Sequence, residues 1–308
     1  MKDKHIPVLL QEVVRLLDPK PGQNYIDATL GFGGHSEAIL EYTLPGGKLL
    51  GIDQDDAALE FAGKRLAGFG GRFSQKHGNF SDFSELLPDF RVTGGILADI
   101  GVSSVQFDEM NRGFSFKGGP LDMRMDTSAE LTAYEVVNEW PEEQLAKVIA
   151  EYGEERFAKR IAGHIVEARA KKHIETADEL AEVISGAIPR KFWPKAINPA
   201  TKTFQAIRIA VNDELGALRS FLPQAIEALE PGARLAVISF HSLEDRIVKD
   251  YFRDRANPCT CPPRFPKCIC GKVGDIRHIT RKPVVATEAE IGQNPRCRSA
   301  KLRVIEKI

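Results

Sequence analysis

The chain has 308 residues, with 42 Lys or Arg and 43 Asp or Glu, so its formal net charge of −1 excludes a generic polyanion binder. Its hydrophobic content of 43% is typical of a globular protein with a sizeable core, and no apolar run approaches the roughly 18 residues that span a membrane. An odd number of cysteines, five, and no apolar signal-peptide region predict a reducing, cytoplasmic location.

Strand-like and helical segments alternate in the first third of the chain. A helix is predicted over residues 36–42, and strands are predicted over residues 25–30, 48–53, 73–78 and 94–100. Such alternation is typical of βαβ units and indicates an α/β fold with a mainly parallel sheet.

The alternation stops at about Phe107. From there to Pro199 the sequence predicts Gly-rich loops and helices without a convincing strand. Apolar residues at helical spacing predict helices over residues 152–172 and 203–222.

Strands are predicted again over residues 234–240, 283–287 and 300–306. We therefore expect two domains. One is an α/β domain made of residues 1–106 and 204–308, and the other is an all-helical domain, residues 107–203, inserted into it.

The most informative segment is residues 27–36, Asp-Ala-Thr-Leu-Gly-Phe-Gly-Gly-His-Ser, between a predicted strand and a helix. Its glycines let the backbone turn sharply and approach a ligand closely. Asp53 ends the next strand and, at a distance of about 20 residues, is placed to accept hydrogen bonds from ribose hydroxyls. The pattern predicts a site for an adenosine-containing cofactor, although an ordinary strand-to-helix turn is an alternative.

Two residues of this segment distinguish between cofactors. A dinucleotide site requires a third glycine where the chain has Ser36. Asp27 adds negative charge, which disfavours a pyrophosphate and favours a cationic ligand with an amino group. The local chemistry therefore indicates S-adenosylmethionine, with an NAD-dependent oxidoreductase as the rival interpretation.

Further polar and aromatic residues follow the other predicted strands. Asp99 should lie on the same edge of the sheet as Asp53, unless it caps the following turn. Phe80 either stacks on adenine or packs in the core. Ser103, Ser104 and Gln106 offer neutral hydrogen-bonding groups in the loop after Asp99.

Two later motifs invite other chemistries. Ser239 and His241 suggest hydrolysis, but no G-x-S-x-G elbow precedes them, so we expect His241 to line a pocket or anchor a loop. Cys259, Cys261, Cys268 and Cys270 form two C-x-C pairs, which either hold a structural zinc ion or are free thiols. The spacing is tighter than in most zinc sites.

Basic and aromatic residues are interleaved in residues 112–124 and 190–195, and Lys202 follows the second cluster. Aromatic rings stack on unpaired bases, and Arg or Lys binds phosphates. The two clusters predict contact with nucleic acid, with solvated loops as the alternative.

The sequence resembles the MraW, or RsmH, family of bacterial ribosomal RNA small-subunit methyltransferases over nearly its whole length. The resemblance rests on residues 5–9, 27–36, 101–104, 112–116, 119–126, 152–160, 203–208, 238–246 and 294–299. It implies a class I, Rossmann-like methyltransferase fold with an inserted helical substrate domain. It also implies methyl transfer from S-adenosylmethionine to N4 of a cytidine in the decoding region of 16S rRNA.

The resemblance places the cofactor contacts on Gly33, Gly34, His35, Asp53, Phe80, Asp99 and Gln106. Because the chain is nearly neutral, we expect its substrate to be an assembled or partly assembled small subunit rather than naked RNA. A non-catalytic RNA-binding factor in ribosome assembly is the further alternative.

The chain departs from many amino-methylating enzymes, which carry an acid-Pro-Pro-aromatic motif where this sequence has Asp99-Ile-Gly-Val. We therefore hypothesise that Asp99, or a nearby carbonyl, accepts a hydrogen bond from the cytosine amine. Phe114 and Phe116 are the candidates to hold an extruded base.

Overall fold

A computed structural model describes residues 6–87, 89–101, 112–116, 118–195, 197–262 and 268–308. The chain forms two compact units, one made of Met1–Gly101 and Leu215–Ile308 and the other of Val102–Glu214. Within the described ranges, no helix is both long enough and apolar enough to cross a membrane.

The strands that the structure describes belong to the first unit and form one sheet. In chain order they are β1 (Tyr25–Asp27), β2 (Leu49–Asp53), β3 (Phe73–His77), β4 (Gly95–Asp99), β5 (Arg234–Ser239), β6 (Ile276–His278), β7 (Val284–Val285) and β8 (Lys301–Lys307). The spatial order is β3-β2-β1-β4-β5-β8-β6, and β7 also pairs with β8. β3, β2, β1, β4 and β5 are parallel, whereas β8 is antiparallel to β5, β6 and β7.

The helices of the described chain alternate with strands only in the first unit. In chain order they are α1 (Leu10–Leu17), α2 (Gly34–Tyr42), α3 (Asp56–Leu66), α4 (Ala133–Glu139), α5 (Glu142–Gly153), α6 (Ala158–Arg169), α7 (Ala177–Ala187), α8 (Thr201–Asn212), α9 (Glu214–Ala228), α10 (Ser242–Ala256) and α11 (Glu288–Gln293).

Four parallel strands of the first unit, β2, β1, β4 and β5, are buried on both faces, whereas β3 at the edge of the sheet is partly exposed. Neighbouring residues along a strand alternate between two hydrophobic clusters: Ile26 joins the cluster that contains Phe221 of α9, while Tyr25 joins the one that contains Leu17 of α1. A strand covered on both faces needs apolar residues at every position, which is why these segments read as continuous apolar runs. The predicted α/β fold with a mainly parallel, Rossmann-like sheet is confirmed.

The first strand is shorter than its predicted range of residues 25–30. It ends at Asp27, because the backbone turns immediately afterwards: the N–H of Ala28 donates to Leu97 of β4 and that of Leu30 donates to Ile52 of β2. The turn therefore begins inside the apolar run and lies over the ends of both neighbouring strands.

The second unit has its own core. Helices α4 to α8 contribute to a single cluster that includes Val136, Leu145, Ile161, Ile184 and Ile207, each fully buried. Among the described residues between 112 and 199, pairing of β type is limited to an isolated bridge from Pro120 to Thr176. Apart from this bridge, the regular secondary structure that the structure describes in this unit is helical.

Two of the predicted helices were wrong in extent. The segment 152–172 is broken after Gly153, where Glu154 has φ 47°, and the segment 203–222 is broken at Asp213, where φ is 43°. Each residue ends one helix in the left-handed conformation, and each donates its backbone N–H to the preceding turn. Glycine usually occupies such a left-handed position, so the acidic residues found here do not indicate the helix ends in the sequence.

Candidate functional site

The candidate site lies in the first unit, where β1 and β2 end on acidic residues beneath the turn of residues 28–36. Asp27 is almost completely buried, and its Oδ2 accepts a hydrogen bond of 2.7 Å from the Ser36 hydroxyl. Asp53 is half-buried, and its Oδ2 accepts a bond of 2.8 Å from the backbone N–H of Gly31. Ser36 stands where a dinucleotide site has its third glycine. Here its hydroxyl is the hydrogen-bond partner of the buried Asp27 carboxylate.

Asp99, at the end of β4, joins the same edge of the sheet. Its backbone N–H donates to the Thr29 hydroxyl at 2.6 Å. The turn thus binds the ends of three parallel strands, β2, β1 and β4, which follow one another in the sheet. The sheet order changes direction between β1 and β4, and in open α/β sheets ligands bind at such a switch point.

The carboxyl group of Asp99 is electrostatically unfavourable in its ionised form. Burial raises its pKa to about 8, and the negative charges of Asp27 and Glu244 add to the effect. Burial likewise raises the pKa of Asp27 to about 7. Partial burial also raises the pKa of Asp53. The edge therefore concentrates carboxyl groups that a cationic ligand would stabilise in their charged form.

One carboxyl oxygen at this edge is buried without a partner. Oδ1 of Asp99 has no hydrogen-bond partner in the part of the chain that the structure describes, although the side chain as a whole is 24% exposed. Buried polar atoms are normally hydrogen-bonded, so an orphaned acceptor beside a partly open edge indicates a position for a ligand donor.

His35 links this edge to the segment before α1. Its Nε2 lies 2.9 Å from the Val8 carbonyl, which requires the ring to donate from Nε2, and its Nδ1 lies 3.9 Å from Oδ2 of Asp99. The same segment is held from the other end of the chain. Leu9 donates its N–H to Glu290 at 2.7 Å, and Asn294 donates to the Ile6 carbonyl at 3.0 Å.

Gly33 and Gly34 are required by packing and by backbone conformation. Gly33 has φ 71°, which places it in the left-handed region at the start of α2. A Cβ on Gly34 would lie 2.4 Å from Cγ of Pro7, which is closer than any real contact. The two glycines thus let α2 begin under the turn and against the segment that His35 holds.

Phe80 follows β3 and is half-buried. Its ring meets the buried ring of Phe221 edge to face, with 5.2 Å between centroids. The structure therefore gives Phe80 a role in the core, and leaves part of the side chain accessible. Gln106, Ser103 and Ser104 lie outside the described residues.

Sequence reasoning missed Glu244, which is fully buried at the start of α10. Its Oε2 accepts the backbone N–H groups of Phe240 at 2.8 Å and His241 at 3.2 Å. His241 is the N-cap residue of α10, and Ser239 is buried at the end of β5. The spacing of His241 and Glu244 is that of a capping box, which is the sequence signal that identifies Glu244.

The two arginines of the first basic-aromatic cluster make contacts inside the second unit, whereas Lys117 lies outside the described residues. Arg112 donates to the carbonyls of Arg124 and Met125, and Arg124 pairs with Asp122 at 2.7 Å. Phe114 is only 4% exposed in the core, so the expectation that it holds an extruded base was wrong. Its apolar ring gains more from burial than a polar loop can offer.

Phe116, the other residue expected to hold a base, is partly buried. Its ring packs on Phe204 of α8 at 4.8 Å between centroids. This packing contact is sufficient to explain an aromatic residue at position 116, without a role in holding a base.

The second basic-aromatic cluster remains on the surface. Phe192 and Trp193 are 41% and 39% exposed, and the guanidinium of Arg156 lies 4.1 Å from the centre of the Phe192 ring. Lys191 lies 5.0 Å from the same ring. Phe192 and Arg156 also line a pocket of about 350 Å³ together with Pro194, Asn198 and Lys202. We call these residues, 156, 191–194, 198 and 202, the basic-aromatic surface.

The raised pKa of Asp99 predicts a pH-dependent effect of Asp99→Asn on stability. The unfolded carboxyl group ionises near its usual pKa of 3.8, whereas the folded one holds its proton to about pH 8. Wild-type stability therefore falls as pH rises between these values, and the neutral amide removes that loss. The Tm advantage of Asp99→Asn should be larger at pH 8.5 than at pH 5.5, by about 2 °C or more.

Calorimetry of the ligand-free protein at both pH values measures this advantage. The matched control is Asp89→Asn, on an exposed side chain, which should leave the Tm close to that of the wild type. An advantage of Asp99→Asn that is greater at pH 5.5 than at pH 8.5 would contradict the electrostatic account of the site.

Comparison with known proteins supports the assignment of the chain to a family. The sequence profile of the MraW methylase family matches residues 2–308 of this chain. A protein of Geobacter sulfurreducens named ribosomal RNA small subunit methyltransferase H is 53% identical over 311 residues, with 100% of both chains covered. A protein of the same name from Symbiobacterium thermophilum is 54% identical over 307 residues, covering 99% of this chain and 96% of its own.

Solved structures are more distantly similar. An rRNA methylase of Streptococcus thermophilus has a TM-score of 0.43 at 11% identity, with 98% of both chains covered. TrmN of Thermus thermophilus also has a TM-score of 0.43, at 14% identity, covering 97% of this chain and 48% of its own.

The match over nearly the full length and the identity above 50% agree with the site described above. That site consists of the glycine turn, residues 28–36, and the acidic edge, where β1, β2 and β4 end at Asp27, Asp53 and Asp99. The chain belongs to the MraW methylase family and is a methyltransferase.

Proposed function

We propose that this protein transfers a methyl group from S-adenosylmethionine to N4 of a cytidine in the decoding region of 16S rRNA. The observation that carries the proposal is the acidic edge, where Oδ1 of Asp99 is buried without a partner among the described residues. Relatives about 50% identical to this chain are named ribosomal RNA small subunit methyltransferases. Their target supports an rRNA target here, in the cytoplasm.

The residues at the acidic edge suit S-adenosylmethionine better than a dinucleotide. Asp27 and Asp99 would attract its ammonium and sulfonium groups, and the same carboxyl groups would repel a pyrophosphate. Asp53 has both oxygens engaged by backbone N–H groups, but a carboxylate has further lone pairs that can accept from ribose hydroxyls. When bound, S-adenosylmethionine would supply an activated methyl group.

The contacts proposed for Gly33, Gly34, His35 and Phe80 are with the same cofactor. The two glycines keep side chains away from the turn, and His35 fixes the turn against the Val8 carbonyl. The accessible part of Phe80 would contact the adenine. Gln106 belongs to the proposed site through the family resemblance alone, because it lies outside the described residues.

We assign Asp99 a second role, towards the acceptor base. An exocyclic amine of cytosine has a donor N–H that matches the orphaned Oδ1, and this hydrogen bond would orient the nitrogen lone pair for transfer. The amine releases a proton once its nitrogen has formed the new bond to carbon. The raised pKa makes the Asp99 carboxylate a stronger base, and the positive charge of bound S-adenosylmethionine would favour its ionised form, which can accept that proton.

Phe240 replaces Phe114 as our candidate for holding the target base. It follows β5 at the same edge of the sheet, and a Cβ on Gly101 would lie 3.3 Å from its ring. Gly101 is two residues after Asp99, so the ring lies beside the backbone that leads from the proposed catalytic carboxyl group.

We further propose that the second unit recognises the substrate through the basic-aromatic surface. Stacking on Phe192 and Trp193 and phosphate contacts from Lys191 would hold RNA whose bases are unpaired. The net charge of −1 supports a structured, partly or fully assembled small subunit as the substrate, since the chain offers little general attraction for naked RNA.

The proposed reaction predicts a single modified nucleoside. Small subunits from a bacterium that lacks this protein are incubated with the purified chain and radiolabelled S-adenosylmethionine, and the RNA is digested for mass spectrometry. We expect label in N4-methylcytidine from the decoding region of 16S rRNA. Subunits that already carry the modification are the control and should accept little label. Label in another nucleoside, or in protein, would contradict the proposed acceptor.

The role proposed for Asp99 predicts a loss of turnover in Asp99→Asn. The amide keeps the size of the side chain but cannot accept a proton, so kcat should fall about 100-fold. Calorimetric titration with S-adenosylhomocysteine measures cofactor binding separately, and Asp89→Asn is again the control. A variant that binds the cofactor normally and keeps its full kcat would show that Asp99 has no role in the chemistry.

The basic-aromatic surface predicts an effect on substrate binding alone. Phe192→Ala removes a stacking ring and Lys191→Ala removes a phosphate contact, so each should raise KM for small subunits roughly tenfold. Affinity for S-adenosylhomocysteine should not change. Lys147→Ala, which removes an exposed positive charge from α5 in the same unit, is the matched control. Equal KM values for all three variants would exclude this surface from substrate binding.

A further inference from the structure

Four of the five cysteines lie together in the segment between α10 and β6, which we call the cysteine arm, residues 257–275. Sγ of Cys268 lies 3.5 Å from Sγ of Cys259, 3.8 Å from that of Cys261 and 3.4 Å from that of Cys270. The Sγ atoms of Cys259 and Cys270 are 3.8 Å apart. All four sulfur atoms lie within 4.8 Å of one another.

These separations match the edges of a tetrahedron of sulfur ligands. With a Zn–S bond of about 2.3 Å, four thiolates around one zinc ion lie about 3.8 Å apart. A disulfide instead requires about 2.05 Å between two sulfur atoms and leaves the two pairs independent of each other. Here a single sulfur, that of Cys268, is close to all three others, which is the arrangement of a common centre.

Backbone N–H groups point at the sulfur atoms. The N–H of Ile269 donates to Sγ of Cys261 at 3.3 Å. Cys270 accepts from the N–H groups of Thr260 and Lys272, and Cys259 accepts from that of Cys261. Hydrogen bonds of this kind stabilise negative charge on sulfur, as metal-bound thiolates require.

The described residues of the arm, 257–262 and 268–275, offer few other contacts that could hold its outer part. Its described residues contain no helix or strand, and the apolar side chains of Ile269 and Val273 are 73% and 86% exposed. Its inner end is fixed by Asp275, which pairs with Arg255 at 2.7 Å and with Lys307 at 2.8 Å. A segment without a core of its own gains order from a metal centre that joins its two halves.

We propose that Cys259, Cys261, Cys268 and Cys270 bind one zinc ion, which has a structural role. Each thiol loses its proton and forms one Zn–S bond, so four protons are released to solvent and no oxidant is needed. Four protein ligands leave no open position on zinc for a substrate or water. The site closes the cysteine arm and takes no part in the proposed methyl transfer.

The test compares metal binding by the full-length protein and two cysteine variants. Protein purified under reducing conditions is supplied with one equivalent of Zn²⁺, dialysed and analysed by inductively coupled plasma mass spectrometry. We expect one zinc per chain in the wild type and in Cys297→Ala, which changes the buried cysteine outside the arm. Cys268→Ser should bind zinc more than about 100-fold more weakly, because removal of a ligand exceeds the effect of an outer contact.

Three further measurements distinguish loss of the zinc site from loss of folding. Co²⁺ in place of zinc should give the visible absorption of tetrahedral cobalt thiolate in the wild type and in Cys297→Ala but not in Cys268→Ser. Far-ultraviolet circular dichroism shows whether Cys268→Ser is folded, and trypsin should cut the arm of the wild type faster once a chelator is added. The absence of zinc from the reduced wild type, or equal zinc affinity in Cys268→Ser, would overturn the proposal.

Discussion

Carboxyl groups at the ends of β1, β2 and β4 impose the constraint on which the rest of the first unit depends. Parallel strands bring these ends together, and burial there makes negative charge costly, as the raised pKa values of Asp27 and Asp99 show. The turn of residues 28–36 meets this cost with the donors that its backbone and Ser36 provide. These donors do not reach every carboxyl oxygen: Oδ1 of Asp99 has no partner among the described residues. Negative charge that is buried without enough donors favours a positively charged ligand at this edge.

The two units solve different physical problems. The first unit uses a sheet covered on both faces to hold acidic groups in fixed positions, which chemistry requires. The second unit has a core of its own and leaves Phe192 and Trp193 at its surface. Rings that a core of this size could have buried are thus exposed among basic side chains, an arrangement suited to a partner with bases and phosphates.

Much of the fold and of the acidic edge could be predicted from the sequence. Continuous apolar runs that end in Asp53 and Asp99 identify parallel strands, and a parallel sheet forces their carboxyl ends to the same side. The identities of Asp27 and Ser36 argue against a dinucleotide. The sequence did not, however, predict the hydrogen bond between these two residues. That contact depends on how sharply the turn closes over the strands.

Other features have no local signal. The helix breaks at Glu154 and Asp213 use left-handed backbone at residues that also occur inside helices, so tertiary contacts decide them. Phe114 stands in a loop rich in glycine and basic residues, but a distant core buries it. Glu244 of α10 lies far along the chain from Asp99, and its negative charge raises the pKa of Asp99. Its position in a capping box identifies Glu244 in the sequence but does not predict this electrostatic effect.

The contacts of His35 have a consequence for the order of events during synthesis. Its ring rests on Val8, whose neighbours Ile6 and Leu9 are held by Asn294 and Glu290. A nascent chain contains the glycine turn within its first 40 residues, but Glu290, which holds the support of that turn at Leu9, follows Leu9 by 281 residues. The support of the candidate site is therefore completed only after α11 and Asn294 have been translated.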